Sequence, residues 1–301
     1  MKPLLIIGGA TGSGKSALAV AVAEKLNGEI VSADSMQIYR GMDIGTAKIT
    51  PVETHGIPHH MIDVVDPADN YSAADYKEAS TRVIRDVYSR GKVPILCGGT
   101  GLYINAVLYD MSFSGEYDIA LRENLKAEAK EMGREAMHAK LMALDPETGA
   151  RLHFNDEKRV LRAIEKALTG GKKENDLAQA KYPYHMVVTE LPRDLLYRRI
   201  EMRVDRMMEE GLRAEVDGLL ARGIGFDKQC MQAIAYKEWA KRSEGHSDDE
   251  IVELIKKNTR NYAKRQGTWF RQYQAAMRLD MTGSLAESAE QVVRIYNGEE
   301  K

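Results

Sequence analysis

Cysteine is nearly missing. Cys97 and Cys230 are the only two in 301 residues; they stand far apart, outside any CxxC or Cys/His grouping. That excludes a disulfide framework and a zinc finger and fits a reducing, cytoplasmic setting. Long apolar runs are missing too: Leu4-Leu5-Ile6-Ile7 meets glycine at once, too short for a signal sequence or a membrane span. Nor is one sign of charge in surplus. With 43 Lys and Arg against 45 Asp and Glu the formal net charge is −2, so contact with a nucleic acid must come from local clusters of cations. Internal repeats and low-complexity tracts are absent, and a hydrophobic fraction of 44% excludes a disordered chain.

What is present begins with a strand, a loop and a helix. Leu4–Gly8 reads as a buried parallel strand, and Ala17–Leu26 has helical apolar spacing up to Asn27-Gly28. Between them Gly9-Ala10-Thr11-Gly12-Ser13-Gly14-Lys15-Ser16 fits G-x-x-x-x-G-K-[ST]. In such a P-loop the glycines let backbone N–H groups turn onto phosphate oxygens and the helix N-terminus adds positive dipole. Lys15 supplies a point charge and Ser16 a hydroxyl ligand for Mg2+.

Glu29–Ala33 reads as a second strand ending at Asp34, followed by an irregular stretch over 35–70 broken by Pro51, Pro58 and Pro67. Ser72–Arg90 is a helix, with Ser72 and Asp75 spaced as a capping box and Gly91 as its stop. Val93–Cys97 is a buried strand that runs into Gly98-Gly99-Thr100-Gly101, a second glycine-rich turn before a helix. Helical patterns then replace strands around 118–132, 134–144 and 156–169. They predict an all-helical insertion over 112–183 within a core formed by 1–111 and 184–301. His185–Leu191 restores one strand, and all that follows reads as helical, with Gly211, Gly223 and Gly245 near helix ends. The fold class is α/β: a P-loop NTPase-like parallel sheet flanked by helices, carrying the inserted helical module.

A nucleotide triphosphatase would end an apolar strand in a metal-binding Asp, whereas Val93–Cys97 ends in Gly98-Gly99-Thr100. ATP hydrolysis is therefore not the expected reaction. Asp34, past a strand end where open α/β sheets bind ligands, can take a proton or orient an amine. Equally, it can cap a turn. Thr100 can hydrogen-bond a reacting group or merely belong to a tight connection. Adjacent His59 and His60 cannot both face one metal ion from a regular element, so a structural role is expected. Over Lys256–Leu279 there is no Asp or Glu. Read as one helix, Lys256, Arg260, Lys264, Arg271 and Arg278 share a stripe, opposite Tyr262, Trp269 and Tyr273. Phosphate contact by that stripe is expected, with the aromatics docked inward. Lys158, Arg159, Arg162 and Lys166 form a second, diluted cluster beside Glu157 and Glu165.

Together these residues resemble the bacterial tRNA dimethylallyltransferase (tRNA isopentenyltransferase) family over nearly the whole chain. The resemblance is carried by the P-loop, Ser32–Tyr39, Gly41–Lys48, Pro58–Asp63, Tyr71–Tyr76, Gly98–Tyr103, Asn155-Asp156 with Arg159 and Arg162, Gln232–Lys237 and Lys264–Trp269. It implies transfer of a dimethylallyl group from dimethylallyl diphosphate to N6 of the adenine 3′ of the tRNA anticodon, position 37. The P-loop would hold the diphosphate, Asp34 would act as general base, Thr100 would stand at the reacting centre and Arg203 would help bind diphosphate. Mg2+ is the implied cofactor, with Ser16 as its ligand. The tRNA anticodon stem-loop would meet Asp34, Ser35, Met36, Gln37 and Thr100. It would also meet Arg122 in the channel, Lys158, Arg159, Val160, Leu161 and Arg162 on the insertion, and Gln232, Ala233, Ile234, Ala235, Tyr236 and Lys237. Lys264 and Arg271 come from the basic stripe. Two positions depart from the family: Ala235 stands where it usually has glycine, and Gly12 replaces a commoner alanine. A cytoplasmic monomer is expected. The rival readings are a P-loop small-molecule kinase, a prenyltransferase for free adenine nucleotides, and a non-catalytic RNA-binding protein.

Overall fold

The computed structural model describes residues 2–111, 113, 119–170 and 179–299. The expected insertion edge at 112 and helix start at 118 lie outside the described residues. Contacts divide the chain into two compact units, Met1–Met111 with Leu177–Lys301, and Ser112–Asp176.

The first unit is built on six parallel strands: β1 (Leu4–Gly9), β2 (Gly28–Ser32), β3 (His59–His60), β4 (Val93–Gly98), β5 (Tyr184–Glu190) and β6 (Met277–Asp280). They lie in the order β3-β2-β4-β1-β5-β6, with Ile6 opposite both Leu96 and Met186. Side chains alternate across a strand, so β1 feeds two cores. Leu4 and Ile6 pack with α2 (Ala73–Ser89), α3 (Gly101–Leu108), Phe270 and Tyr273. Leu5 and Ile7 pack on the other face with α1 (Lys15–Leu26) and α11 (Leu285–Asn297). A strand buried on both faces must be apolar throughout, which is why β1 and β4 carry no alternation.

Both halves of the Ser72/Asp75 capping box at the start of α2 are formed, and Gly91 takes φ +73° after its end. A third core joins the 36–42 loop to α8 (Arg193–Glu209), α9 (Leu212–Ala221), the 224–239 segment and the start of α10 (Asp248–Phe270). The second unit contains α4 (Ile119–Met132), α5 (Arg134–Leu144), α6 (Pro146–Arg151) and α7 (Glu157–Leu168). Its own small core includes Leu125, Met137, Leu141, Val160 and Ile164.

Three differences from the sequence reading stand out. The chain after β5 is not all helical: α10 stops at Phe270, and Met277–Asp280 adds the edge strand β6 beside Val187–Glu190. At four residues with charges at alternate positions, β6 gives too weak a period to read. His59–His60 pairs with Ile30-Val31 inside the stretch expected to be irregular. Finally, residues 179–183 belong with the core rather than the insertion: Tyr182 packs with Leu4 and Ile6, and Lys181 N–H donates to Leu108 O at 2.7 Å.

Candidate active site

Three strand ends meet at the carboxyl edge of the sheet, where the order reverses around β1, the place where such sheets hold ligands. After β1 the loop 9–14 turns through Gly12 at φ +82° and Gly14 at φ +93°, left-handed values that disfavour a side chain. Ser13 fastens it, with Oγ donating to Ala10 O at 2.7 Å and lying 2.6 Å from Thr189 Oγ1 on β5. Lys15 reaches back to within 3.5 Å of Ala10 O.

Burial pushes the Lys15 pKa down and neighbouring Arg203 adds to that shift, while Cys97 and Asp34 oppose it. Burial also works against the charge of Arg203, with Arg206 adding repulsion. Arg203 Nη1 donates to Thr11 Oγ1 at 3.3 Å, tying α8 to the loop. Two desolvated cations at one loop are costly unless an anion compensates them. Such an arrangement suits a multiply charged oxyanion.

After β2, Asp34 Oδ1 accepts from the backbone N–H of Met36 at 2.9 Å and of Gln37 at 3.4 Å. One oxygen caps a turn. Among the described residues Oδ2 makes no hydrogen bond, so the turn-capping alternative is met through Oδ1 and the second oxygen stays uncommitted. After β4, Thr100 N–H donates to Ala33 O at 3.0 Å and its Oγ1 accepts from Ser35 N–H at 3.0 Å. Thr100 thus braces the Asp34 turn from behind and lines neither cavity of the site. The glycines of its turn answer close approach: a Cβ on Gly98 would lie 2.2 Å from Ala33 O, and one on Gly99 2.1 Å from Gln266 Nε2.

Two cavities adjoin here. The first, about 460 Å³, is lined by the P-loop, Asp34, Gln37, the 44–50 loop, Glu53, Arg203 and Arg206. The second, about 280 Å³, is lined by Ser35, Met36, Gln232–Ala235, Lys237, Tyr262, Arg265 and Gln266. Thr11, Lys15, Asp34 and Arg203 line both. The P-loop lysine and the carboxylate therefore border the same space.

Several expected contacts are corrected. Tyr236 is buried behind the second cavity, its hydroxyl on Glu215 at 2.5 Å. Lys256 pairs with Asp205 at 2.8 Å and Glu253 at 3.0 Å, and Arg260 with Glu201 at 2.6 Å. Both bind α10 to α8 rather than facing solvent as a free stripe. Arg278 lies in β6, paired with Glu190 at 3.2 Å, and Arg271 caps α10. Lys264 and Arg271 are exposed and in no ion pair among the described residues. Tyr273 docks inward as expected, whereas Trp269 stays 38% exposed.

In the second unit Val160 is core, 1% exposed, so it offers no surface to an RNA. Arg122 and Arg162 both pair with Glu165, at 3.0 and 2.8 Å, and Arg159 with Asp156 at 3.4 Å. Lys158 is exposed and Leu161 partly buried. His60 Nε2 meets Glu29 at 2.7 Å and His59 Nδ1 meets Ile57 O at 2.8 Å, the structural role expected of the pair.

Gln266 is the main residue the sequence reading passed over. Its Oε1 accepts Thr11 N–H at 2.8 Å and its Nε2 donates to Gly99 O at 3.0 Å, so it joins the two glycine turns. Its signal was a polar residue at four-residue spacing between Tyr262 and Phe270, on a face of α10 that is otherwise apolar.

The family model described as IPP transferase matches residues 37–273. A tRNA dimethylallyltransferase of an Exiguobacterium species is 48% identical over 282 residues, 93% of this chain and 90% of that protein. The crystal structure of a full-length tRNA isopentenylpyrophosphate transferase from Bacillus halodurans superposes with a TM-score of 0.76 at 40% identity, covering 99% of this chain and 97% of the other. A eukaryotic dimethylallyltransferase acting on tRNA gives a TM-score of 0.83 at 27% identity, over 99% and 79%. The fold is thus shared with these proteins, and the chain belongs to the IPP transferase family.

Proposed function

We propose that this enzyme transfers a dimethylallyl group from dimethylallyl diphosphate to N6 of adenine 37 of tRNA, with Asp34 as general base. The observation that carries the residue assignment is the shared lining: Lys15 and Asp34 border both cavities. The allylic C–O bond breaks, and diphosphate leaves with the electron pair into the charge of Lys15, Arg203 and the loop amides. The N6–C bond forms as the amine gives a proton to Asp34 Oδ2, which compensates for a lone pair delocalised into the ring. Unstacking an adenine is least costly in a single-stranded loop, and the second cavity is the place for it.

Mg2+ fits the donors present. Among the described residues no three His, Cys, Asp or Glu side chains converge, whereas the Ser16 hydroxyl lines the diphosphate cavity. That suits a cation held mostly by substrate oxygens and water. Bound there by Ser16, it would add Lewis-acid stabilisation of the leaving diphosphate. The tRNA contacts assigned here are Ser35, Met36, Gln232–Ala235 and Lys237 around the second cavity, with Lys264, Arg271 and Lys158 as exposed cations.

Cytoplasmic residence accords with two buried free cysteines. Action as a monomer accords with one chain supplying both cavities. Labelled dimethylallyl diphosphate with unmodified tRNA tests the reading: label should appear in N6-dimethylallyladenosine on nucleoside mass analysis. ATP consumed while label stays out of RNA would instead select the kinase.

A further inference from the structure

The loop 43–48 forms part of the wall between the two cavities, and a carboxylate outside the site holds its first three amides. Glu215, on α9, accepts through Oε2 from the N–H groups of Asp43 and Ile44, each at 2.8 Å. Through Oε1 it accepts from Gly45 N–H at 3.0 Å and from the Tyr236 hydroxyl at 2.5 Å. Three successive backbone donors on one carboxylate form a nest for an anion supplied by the protein itself. Gly45 is glycine because a Cβ there would lie 2.5 Å from the Tyr236 ring.

Beyond the nest the loop leads straight to the chemistry. Thr46 and Ala47 line both cavities. Their carbonyls accept from Gln37 Nε2 at 3.3 Å each, and Gln37 N–H donates to Asp34 Oδ1 at 3.4 Å. Tyr236 meanwhile belongs to the 232–237 segment, whose other residues line the second cavity. A chain of contacts therefore runs from Glu215 through the loop and Gln37 to Asp34, with a branch to the wall of the purine cavity.

We infer that Glu215 is a positioning residue for the transfer reaction, fixing the distance between the diphosphate cradle, the base Asp34 and the adenine without touching any of them. The inference rests on the proposed function. None of its hydrogen bonds involves residues 9–16, so the cradle is independent of it. Charge-assisted bonds are the strong ones, and a displacement of roughly 1 Å at a reacting centre costs about 10²-fold in rate.

The test compares Glu215→Ala, Glu215→Gln and Tyr236→Phe with the parent enzyme. Three quantities are read: kcat with saturating tRNA and dimethylallyl diphosphate, affinity for inorganic diphosphate by calorimetry, and amide exchange at residues 43–45. Glu215→Ala should lower kcat about 10²-fold while diphosphate affinity stays within about twofold and the 43–45 amides exchange about ten- to hundredfold faster. Glu215→Gln, which keeps one acceptor oxygen, should fall between. Tyr236→Phe keeps the ring against Gly45 and should lose least. Parental kcat in Glu215→Ala overturns the inference, as does unchanged exchange. So does an equal loss of kcat and diphosphate affinity in all three variants, which marks a general structural role. Should the parent enzyme itself leave tRNA unprenylated, the functional reading fails, and exchange at 43–45 alone still decides whether the nest exists.

Discussion

At the scale of single residues the decisive feature is a divided carboxylate: Asp34 spends one oxygen on the 36–37 turn and keeps the other for the cavity. Asp34→Ala should lower kcat about 10²–10⁴-fold with tRNA binding retained, and filter binding beside single-turnover kinetics checks both. Ala235 is a second case. Its φ of +79° is the left-handed conformation that suits the glycine expected there, and its N–H is committed to Glu238 Oε2 at 2.9 Å. Left-handed backbone costs an alanine about 1–2 kcal/mol, so Ala235→Gly should raise stability by up to about 1 kcal/mol after glycine's own entropy cost. Urea unfolding followed by fluorescence measures it. The P-loop and Asp34 were legible because each rests on local chain geometry. The partners that position them were not. Gln266 and Glu215 act across long sequence separations, and nothing in their neighbouring residues marks a glutamine or glutamate that binds backbone amides elsewhere.

At the scale of elements, α10 shows how a charge pattern misleads. A one-sided run of cations reads as a nucleic-acid face, yet Lys256 and Arg260 find their acids on α8, at Asp205 and Glu201, which no reading of α10 alone can include. Lys264 and Arg271 are different, since they stay exposed. Lys264→Glu with Arg271→Glu should weaken tRNA binding and reduce the slope of log K against log salt by about 1.4 to 1.8. Lys256→Gln with Arg260→Gln should leave that slope alone. Titrations across a salt series separate the two pairs. Elements whose burial is written in their own residues were foreseeable: β1 and β4 as unbroken apolar runs and α2 by its capping box and helical period, while β6 becomes a strand only by meeting β5.

At the scale of the whole molecule, acid stability has an identifiable source. Glu29 at the start of β2 is 2% exposed at its side chain, with Arg90, Lys92 and His60 all within 2.7 Å. The hydrogen bond from Arg90 first, then those from Lys92 and His60, hold its carboxyl far below the ordinary carboxylate range against the effect of burial. A depressed folded-state pKa contributes stability above the unfolded value near 4.3 and loses it as pH falls toward the folded one. Glu29→Gln should therefore destabilise by about 3 kcal/mol at neutral pH, with the gap from the parent shrinking progressively below about pH 4. Thermal unfolding over a pH series tests this.

The shared strip formed by Thr11, Lys15, Asp34 and Arg203 belongs to two hollows, neither of them enclosed. On the proposed reaction, donor and acceptor would thus each have a hollow of their own, and neither would need to queue behind the other. In that reaction the spent pyrophosphoryl fragment would back out of the first hollow while the enlarged base withdraws from the second.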